Sequence, residues 1–121
     1  MSVEQGRLTA WQALSELFLD TELDDADIAS IARRLRSTGL STSELEQIYQ
    51  EEVAPVCWRN AQAVPGGVWT QFDPGWLVEA IERHRRNENV LLRIPLMKRL
   101  CVKRWTALTH ADWIRVKASL K

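Results

Sequence analysis

The sequence contains few of the residues that build catalytic and metal centres. Its 121 residues include two cysteines, Cys57 and Cys101, and two histidines, His84 and His110. The cysteines have no CxxC spacing and no His/Cys cluster beside them, so a zinc site is not expected and we interpret both as small apolar side chains. The basic run around His84 suits a helix end, and His110 lies in a capping sequence. We therefore expect no metal, no cofactor and no enzyme, although carboxylates that meet across the fold stay open as an alternative.

Long apolar segments are also absent. No stretch approaches the ~18 uncharged apolar residues of a membrane-spanning helix, and the first residues lack the apolar segment of a secretory signal. We expect a cytoplasmic protein, in which a disulfide would be out of place. Hydrophobic residues make up 45% of the chain and charged residues 26%, as in ordinary globular proteins, and the length predicts one domain over residues 1–121.

Short polar sequences mark the expected helix starts. Ser41 and Glu44 have the spacing of a capping box, and Gly39 stands where the preceding helix needs a left-handed terminator. Asp73, followed by proline, is typical of an N-cap before the first helical position. Thr109 repeats the capping pattern near the end of the sequence, with an aspartate three residues later.

Between these signals the apolar residues follow helical spacing. Pro55 is expected to end or bend the third helix, and Pro95 to kink or break the stretch from Val90 to Leu108. The predicted fold is all-α, a single compact bundle of five to six helices with a long loop around residues 60–72. The rows expected to face the core are Leu8, Trp11, Leu14, Leu17 and Phe18; Ile28, Ile31, Ala32 and Leu35; Leu45, Ile48, Tyr49 and Val53; Leu77, Ala80, Ile81 and His84; and Leu91, Ile94, Met97, Cys101, Trp105 and Leu108.

The densest run of carboxylates extends from Asp20 to Asp27. Alternating acids suggest a calcium loop, but the sixth position counted from Asp20 is Asp25 where glycine is needed, and the twelfth is Ile31 where glutamate is needed. Capping explains these residues better, because Asp24 or Asp25 can cap the second helix and Asp27 suits its positive end.

The formal net charge is zero, but charge is divided along the chain. Residues 1–60 hold eleven carboxylates and five arginines, whereas residues 61–121 hold five carboxylates and eleven lysines and arginines. Basic residues of the second half, among them Lys98, Arg99, Lys103 and Arg104, could contact the phosphates of a nucleic acid. Alternatively, acidic and basic helices that face each other would neutralise the charge within the bundle.

Six tryptophans are many for a chain of this length. Trp11, Trp105 and Trp113 lie on apolar rows and are expected to pack in the core. Trp58, Trp69 and Trp76 flank the predicted long loop, where they either cover the bundle or, if exposed, anchor a protein interface.

Three blocks of sequence stand out as a set. They are Leu14–Glu22, then Glu52–Val56 with Asn60, then Gly67–Trp69 followed by Phe72-Asp73 and Trp76-Leu77. Together they resemble a family of small, uncharacterised bacterial proteins, with the likeness extending from about residue 8 to residue 82. The resemblance implies a bacterial, cytoplasmic, helical protein without a known set of catalytic residues. Small bacterial proteins of this type are often immunity partners of secreted toxins. This expectation rests on analogy with proteins of the same type and not on the residues of a site.

These observations predict a non-enzymatic protein-binding module, most concretely an immunity-type inhibitor that binds and neutralises a cognate bacterial toxin encoded nearby. Acidic residues would steer it to the basic cleft of a nuclease toxin, and exposed tryptophans would anchor the complex. A nucleic-acid-binding regulator that uses the basic C-terminal helices is the alternative, and no membrane partner is expected. The residues expected at the protein interface are Asp20, Glu22, Asp24, Asp25, Asp27, Trp58 and Trp69.

Overall fold

Helices account for almost all of the chain that the computed structural model describes, namely residues 3–19, 23–61, 73–86 and 94–120. They are α1 (Val3–Ser15), α2 (Asp25–Arg36), α3 (Thr42–Ile48), α4 (Ala54–Ala61), α5 (Pro74–Arg86), α6 (Pro95–Thr106) and α7 (His110–Ser119). A 3₁₀ turn, Glu16–Phe18, extends α1, and a π turn, Tyr49–Val53, joins α3 to α4 in one rod. When the α3–α4 rod is counted as one helix, the described residues form six helices and no strand, which confirms the predicted all-α bundle. Residues 62–72 of the predicted loop lie outside the described residues.

Two of the predicted helix starts are capped as expected. The hydroxyl of Ser41 accepts the N–H of Glu44 at 3.1 Å, and the Glu44 carboxylate accepts the N–H of Ser41 at 3.1 Å. Gly39, just before this cap, has a φ of 76°, the left-handed conformation that glycine adopts without steric cost. At the start of α5, Asp73 accepts the N–H of Trp76 at 2.8 Å. These local signals therefore end α2 and begin α3 and α5.

The capping box predicted at Thr109 and Asp112 is wrong. Although α7 begins at His110, the Thr109 side chain makes no capping bond. Its hydroxyl is buried and lies 2.6 Å from the hydroxyl of Tyr49, while Asp112 accepts a bond from Arg115 at 3.1 Å. A buried tyrosine hydroxyl needs a hydrogen-bond partner, and that partner is the threonine that local spacing assigns to the cap.

The two prolines act in different ways. Around Pro55 the rod continues, because the N–H of Ala54 bonds to the carbonyl of Tyr49, five residues earlier. In a regular α-helix the proline ring would press on the carbonyl four residues back, and the wider π turn relieves that contact. Pro55 therefore changes the hydrogen bonding of the rod without ending it. Pro95 occupies the first position of α6, so a helix begins at the predicted break.

The core lies between α1, α2, the α3–α4 rod, α5 and α7. Helix α1 packs on α2 and the π turn, α2 packs on α7, and α4 packs on α5 and α6. At the centre the Tyr49 ring stacks on Trp113 with centroids 5.1 Å apart and meets Phe18 at 6.1 Å. None of the described helices is long and apolar enough to cross a lipid bilayer. The buried apolar residues are Ala10, Trp11, Ala13, Leu14, Leu17, Phe18, Ile28, Ile31, Ala32, Leu35, Leu45, Ile48, Tyr49, Val53, Ala54, Cys57, Leu77, Ile81, Trp113 and Val116.

Candidate functional site

Helix α6 turns a row of apolar side chains toward solvent. Leu96 is 63% exposed and Leu100 is 54% exposed. Lys103 and Ala107, the C-cap residue that still has helical backbone angles, are exposed as well and lie on the same side of the helix at three- and four-residue spacing. Leu96, Leu100, Lys103 and Ala107 are called the α6 face below. Single exposed leucines are ordinary, but neighbouring ones on one face are typical of a surface that another molecule covers.

The opposite side of α6 holds the helix on the bundle. Trp105 is half-buried there, and its ring meets that of His84 on α5 edge-on with centroids 6.0 Å apart. The ammonium of Lys98 lies 2.9 Å from a carboxylate oxygen of Glu51 in the π turn. Because α6 is anchored from this side, its leucine pair points away from the core.

The sequence predicted a different apolar row on α6, and that prediction is wrong at both ends. Ile94 precedes the helix and Leu108 follows it, so the helical spacing that links them to the core does not hold. Helix α6 carries two apolar rows, and a helix lying on the surface buries only one of them. Of the residues expected to face the core, Met97, Cys101 and Trp105 are half-buried, Ile94 and Leu108 are exposed, and Leu91 lies outside the described residues.

An open groove lies along the α6 face. Its volume is ≈ 530 Å³, and it is lined by Leu100, Cys101, Lys103, Arg104 and Ala107. Apolar atoms therefore form part of the groove, and the stems and charged ends of two basic side chains border them. An open surface of this kind, apolar with basic edges, can be covered by an element of another molecule.

The α6 face has a basic border. Helix α6 contains Lys98, Arg99, Lys103 and Arg104 and no acidic residue. Lys98 pairs with Glu51, whereas the other three are exposed, and the Arg104 guanidinium lies 5.3 Å from the centre of the Trp58 ring. Helical spacing places Arg99 and Arg104 on opposite sides of the leucines. The four residues of the nucleic-acid alternative therefore lie on one helix, with one of them neutralised by an ion pair.

The tryptophans expected to anchor a partner have different surroundings. Trp58, on α4, is half-buried, packs against the core and lies beneath Arg104. Trp69 lies outside the described residues. Trp76, at the start of α5, is 47% exposed and is the more accessible of the two described tryptophans that flank the predicted loop.

The acidic residues expected at the interface lie, where they are described, at the start of α2. Asp24 accepts the N–H of Asp27 at 2.8 Å, and Asp27 accepts the N–H of Asp24 at 3.2 Å, so Asp24 is the cap of α2. Asp25 accepts a bond from Arg115 on α7 at 2.8 Å. All three carboxylates have a structural task and all three remain exposed. Asp20 and Glu22 lie outside the described residues.

Ion pairs connect the acidic half of the sequence to the basic half. Besides Asp25 and Arg115, Glu46 pairs with Lys117 at 3.1 Å, and Glu51 of the π turn pairs with Lys98 on α6. The two halves thus interleave at these points. Among the residues that the structure describes, Arg99, Lys103 and Arg104 on α6 stay exposed, so the acidic half does not neutralise all of the basic charge.

Glu52, which belongs to none of the candidate sites predicted from the sequence, is the centre of a buried polar network. This π-turn residue is 7% exposed. Its Oε1 atom accepts the Nε–H of Arg7 at 3.0 Å and the indole N–H of Trp11 at 2.7 Å, while its Oε2 atom accepts a second bond from Arg7. The hydrogen bond to Glu52 raises the pKa of Arg7. The sequence signal that could have identified Glu52 as a buried residue is its spacing, because it follows buried Ile48 by one helical turn.

Two other buried groups are held in their neutral forms. Burial raises the pKa of Tyr49 and the pKa of Cys57, each to about 12. Within the described ranges, no group of three or more His, Cys, Asp or Glu side chains is placed to hold a metal ion. Every buried side-chain nitrogen or oxygen in those ranges has a hydrogen-bond partner.

Comparison with known proteins gives a family match. A family model described as a domain of unknown function, DUF7079, matches residues 5–119. The match covers nearly the whole chain and confirms the resemblance to an uncharacterised family. No curated protein and no solved structure matches the chain.

Proposed function

The chain belongs to the DUF7079 family, and we propose that it is a non-enzymatic protein-binding module whose partner protein docks on the α6 face. The observation that supports the proposal is the pair Leu96 and Leu100, both more than half exposed on a helix whose other side is anchored to the bundle. Adjacent exposed aliphatic side chains among polar residues favour a protein partner, because covering them removes apolar surface from water.

In its finer form the proposal is an immunity-type inhibitor, a bacterial and cytoplasmic protein that neutralises a toxin encoded nearby. The exposed carboxylates of Asp24, Asp25 and Asp27 support this form. Their bonds to backbone amides and to Arg115 leave them in contact with solvent, so their charge can attract a basic toxin surface before contact is made. In this form the acidic start of α2 speeds the encounter, and the α6 face supplies the contact.

Co-expression with the products of neighbouring genes tests the binding. We expect the wild-type chain to elute with one of them as a complex of defined stoichiometry in size-exclusion chromatography with light scattering. The double variant Leu96→Ser/Leu100→Ser should weaken that complex roughly thirtyfold, because each leucine contributes about 1 kcal/mol when its exposed half is buried.

Ile114→Ser is the matched control. Ile114 lies on α7 and is 48% exposed, so the substitution removes a similar apolar surface from another helix. It should leave the complex unchanged, and circular dichroism should show that all variants keep their helices. A wild-type chain that binds none of the neighbouring products, or a complex that survives the leucine substitutions, would contradict the proposal.

A growth assay tests the finer form separately. The bound product should arrest growth when it is expressed alone, and the wild-type chain should restore growth. Asp25→Asn/Asp27→Asn should slow association at low salt while the α6 variant accelerates dissociation. If the bound product is harmless to cells, the immunity function is rejected and the binding function stands.

Nucleic-acid binding is the alternative that the exposed Arg99, Lys103 and Arg104 favour. It predicts binding of single-stranded RNA or of DNA that falls steeply with salt and is lost in Lys103→Gln/Arg104→Gln. If such binding occurs and the leucine substitutions leave it intact, the α6 face is a nucleic-acid surface and the protein-binding proposal fails.

A further inference from the structure

We infer that the element received by the α6 face is an acidic amphipathic helix of the partner. This inference rests on the proposed function and specifies the chemistry of the docking element. It combines three observations on α6, namely the spacing of its exposed leucines, the groove beside them and the sign of the charges around them.

The spacing of the leucines suits a helix. Leu96 and Leu100 are one helical turn apart and form a ridge of the kind that packs into the groove between the side-chain rows of a second helix. Helix α6 has 12 residues and is therefore about 18 Å long, which matches about three turns of a partner. The groove of ≈ 530 Å³ beside Leu100 gives such a partner a place for its own apolar row.

The charges select an acidic helix. Lys103 lies within the α6 face, while Arg99 and Arg104 lie on its two sides, and all three are exposed. No carboxylate on α6 competes for them. A partner helix with aspartate or glutamate beside its apolar row would pair with these cations at the edge of the contact, as charged residues do beside the apolar seam of a coiled coil.

Other occupants fit these observations less well. A nucleic acid would pair with the cations but leave Leu96 and Leu100 uncovered. A second copy docked symmetrically through α6 would bring Arg99, Lys103 and Arg104 of both copies together, which like-charge repulsion opposes.

Selection from a displayed library of random peptides tests the inference. Peptides of about 16 residues are long enough for four helical turns. They are selected on the immobilised full-length chain after removal of those that bind the bare support. Enriched peptides are then synthesised, and their binding to the chain is measured by fluorescence anisotropy and their helicity by circular dichroism.

We expect the enriched peptides to be acidic, to carry large apolar residues at three- and four-residue spacing, and to gain helicity on binding. Their affinity should fall at least about tenfold for Leu96→Ser/Leu100→Ser. It should fall about fivefold for Arg99→Gln/Lys103→Gln at low salt, and that difference should shrink at high salt. Ile114→Ser should bind like the wild-type chain.

Several results would overturn the inference. They are the absence of enrichment, enriched peptides that are basic or lack helical spacing, and binding that the leucine substitutions leave unchanged. Leucine-dependent sedimentation of the chain with vesicles of phosphatidylcholine and phosphatidylserine would assign the face to a lipid surface, and a leucine-dependent dimer in light scattering would assign it to a second copy. If the peptides fail while the complex with a neighbouring gene product still depends on Leu96 and Leu100, the proposed function survives and only its acidic helix is rejected.

Discussion

Trp11 donates its indole N–H to the carboxylate of Glu52 at 2.7 Å, across 41 residues of sequence. The same oxygen accepts a bond from Arg7, so two residues of α1 meet one carboxylate of the π turn. The network fixes how α1 lies on the α3–α4 rod, because a buried carboxylate is stable only when its oxygens are satisfied.

Replacing Glu52 should therefore be costly. Glu52→Gln is expected to lower the free energy of unfolding by about 3 kcal/mol, the low end for a broken buried ion pair, since the Arg7 side chain keeps 31% exposure and can rehydrate. Urea denaturation followed by tryptophan fluorescence measures the change. Glu16→Gln is the control, because it removes a half-exposed pair with Arg34 and should cost less than about 1 kcal/mol. Equal effects for the two variants would show that the Glu52 network does not stabilise the fold.

The buried hydroxyls of Tyr49 and Thr109 should behave as a unit. Tyr49→Phe or Thr109→Val alone leaves one of them without its 2.6 Å partner and should cost about 1–2 kcal/mol. The double variant removes both hydroxyls together and should cost less than the sum of the single changes. Thr109→Val removes no helix cap, because that side chain makes no capping bond. Additive costs in a double-mutant cycle would contradict the coupling.

Alkaline titration should report Tyr49 alone, because the chain contains one tyrosine. Burial raises the pKa of Tyr49 from 10.0 to about 12, so the folded protein keeps the phenol protonated where the unfolded chain ionises. Stability should therefore fall as pH rises above 10. In the folded protein the phenolate absorbance should rise near pH 12, and in denaturant it should rise near pH 10. A rise near pH 10 in the folded protein would mean that the hydroxyl is open to solvent.

Glu46 should stabilise the folded protein at neutral pH and lose this effect in acid. The indole N–H of Trp113, 3.0 Å away, and the ammonium of Lys117 hold the pKa of Glu46 below 4.5. A carboxyl whose folded-state pKa is lowered stabilises the fold above the unfolded value and loses that contribution as pH falls through the folded value. At neutral pH the free energy of unfolding of wild type should exceed that of Glu46→Gln by about 1 kcal/mol. The difference is modest because the ion pair of Glu46 with Lys117 is partly exposed.

The difference in the free energy of unfolding between wild type and Glu46→Gln should shrink as the pH of urea denaturation experiments is lowered below 4.5. Glu79→Gln serves as the control, since Glu79 is exposed and lies 3.8 Å from Arg83. The free energy of unfolding of Glu79→Gln should stay close to that of wild type at every pH. A Glu46 effect that persists unchanged into acid would show that packing, and not charge, explains it.

Sequence alone predicted those parts of the fold that short-range interactions determine. The reciprocal bonds of Ser41 and Glu44, the left-handed Gly39 and the helix break before Pro95 depend on residues within one helical turn. Thr109 has the same local pattern, but its hydroxyl bonds to Tyr49, 60 residues away. Local spacing carries no information about that partner, so the prediction failed there.

The candidate site was less accessible to sequence reasoning for a related reason. The positions of α4 and α5 determine which apolar row of α6 faces the core. The structure shows that Trp105 contacts His84 on that side, so Leu96 and Leu100 are exposed on the other side. A cap at Asp24 or Asp25 was predicted from the local sequence, and the structure shows that Asp24 forms it with Asp27, three residues later. The partner of Asp25, Arg115, is 90 residues away and was not predictable.

The π turn contains one residue more than an α-helical turn, and this surplus sets the phase of the rod on either side of it. Each α-helical residue rotates the side-chain direction by about 100°, so in an uninterrupted helix Ala54 would point about 180° away from Leu45. Ala54 is instead buried, because the wider turn rotates it back to the core. A chain without Gln50 would keep α4 in the same phase as a plain α-helix. One surplus residue therefore keeps Ala54 on the buried side of the rod.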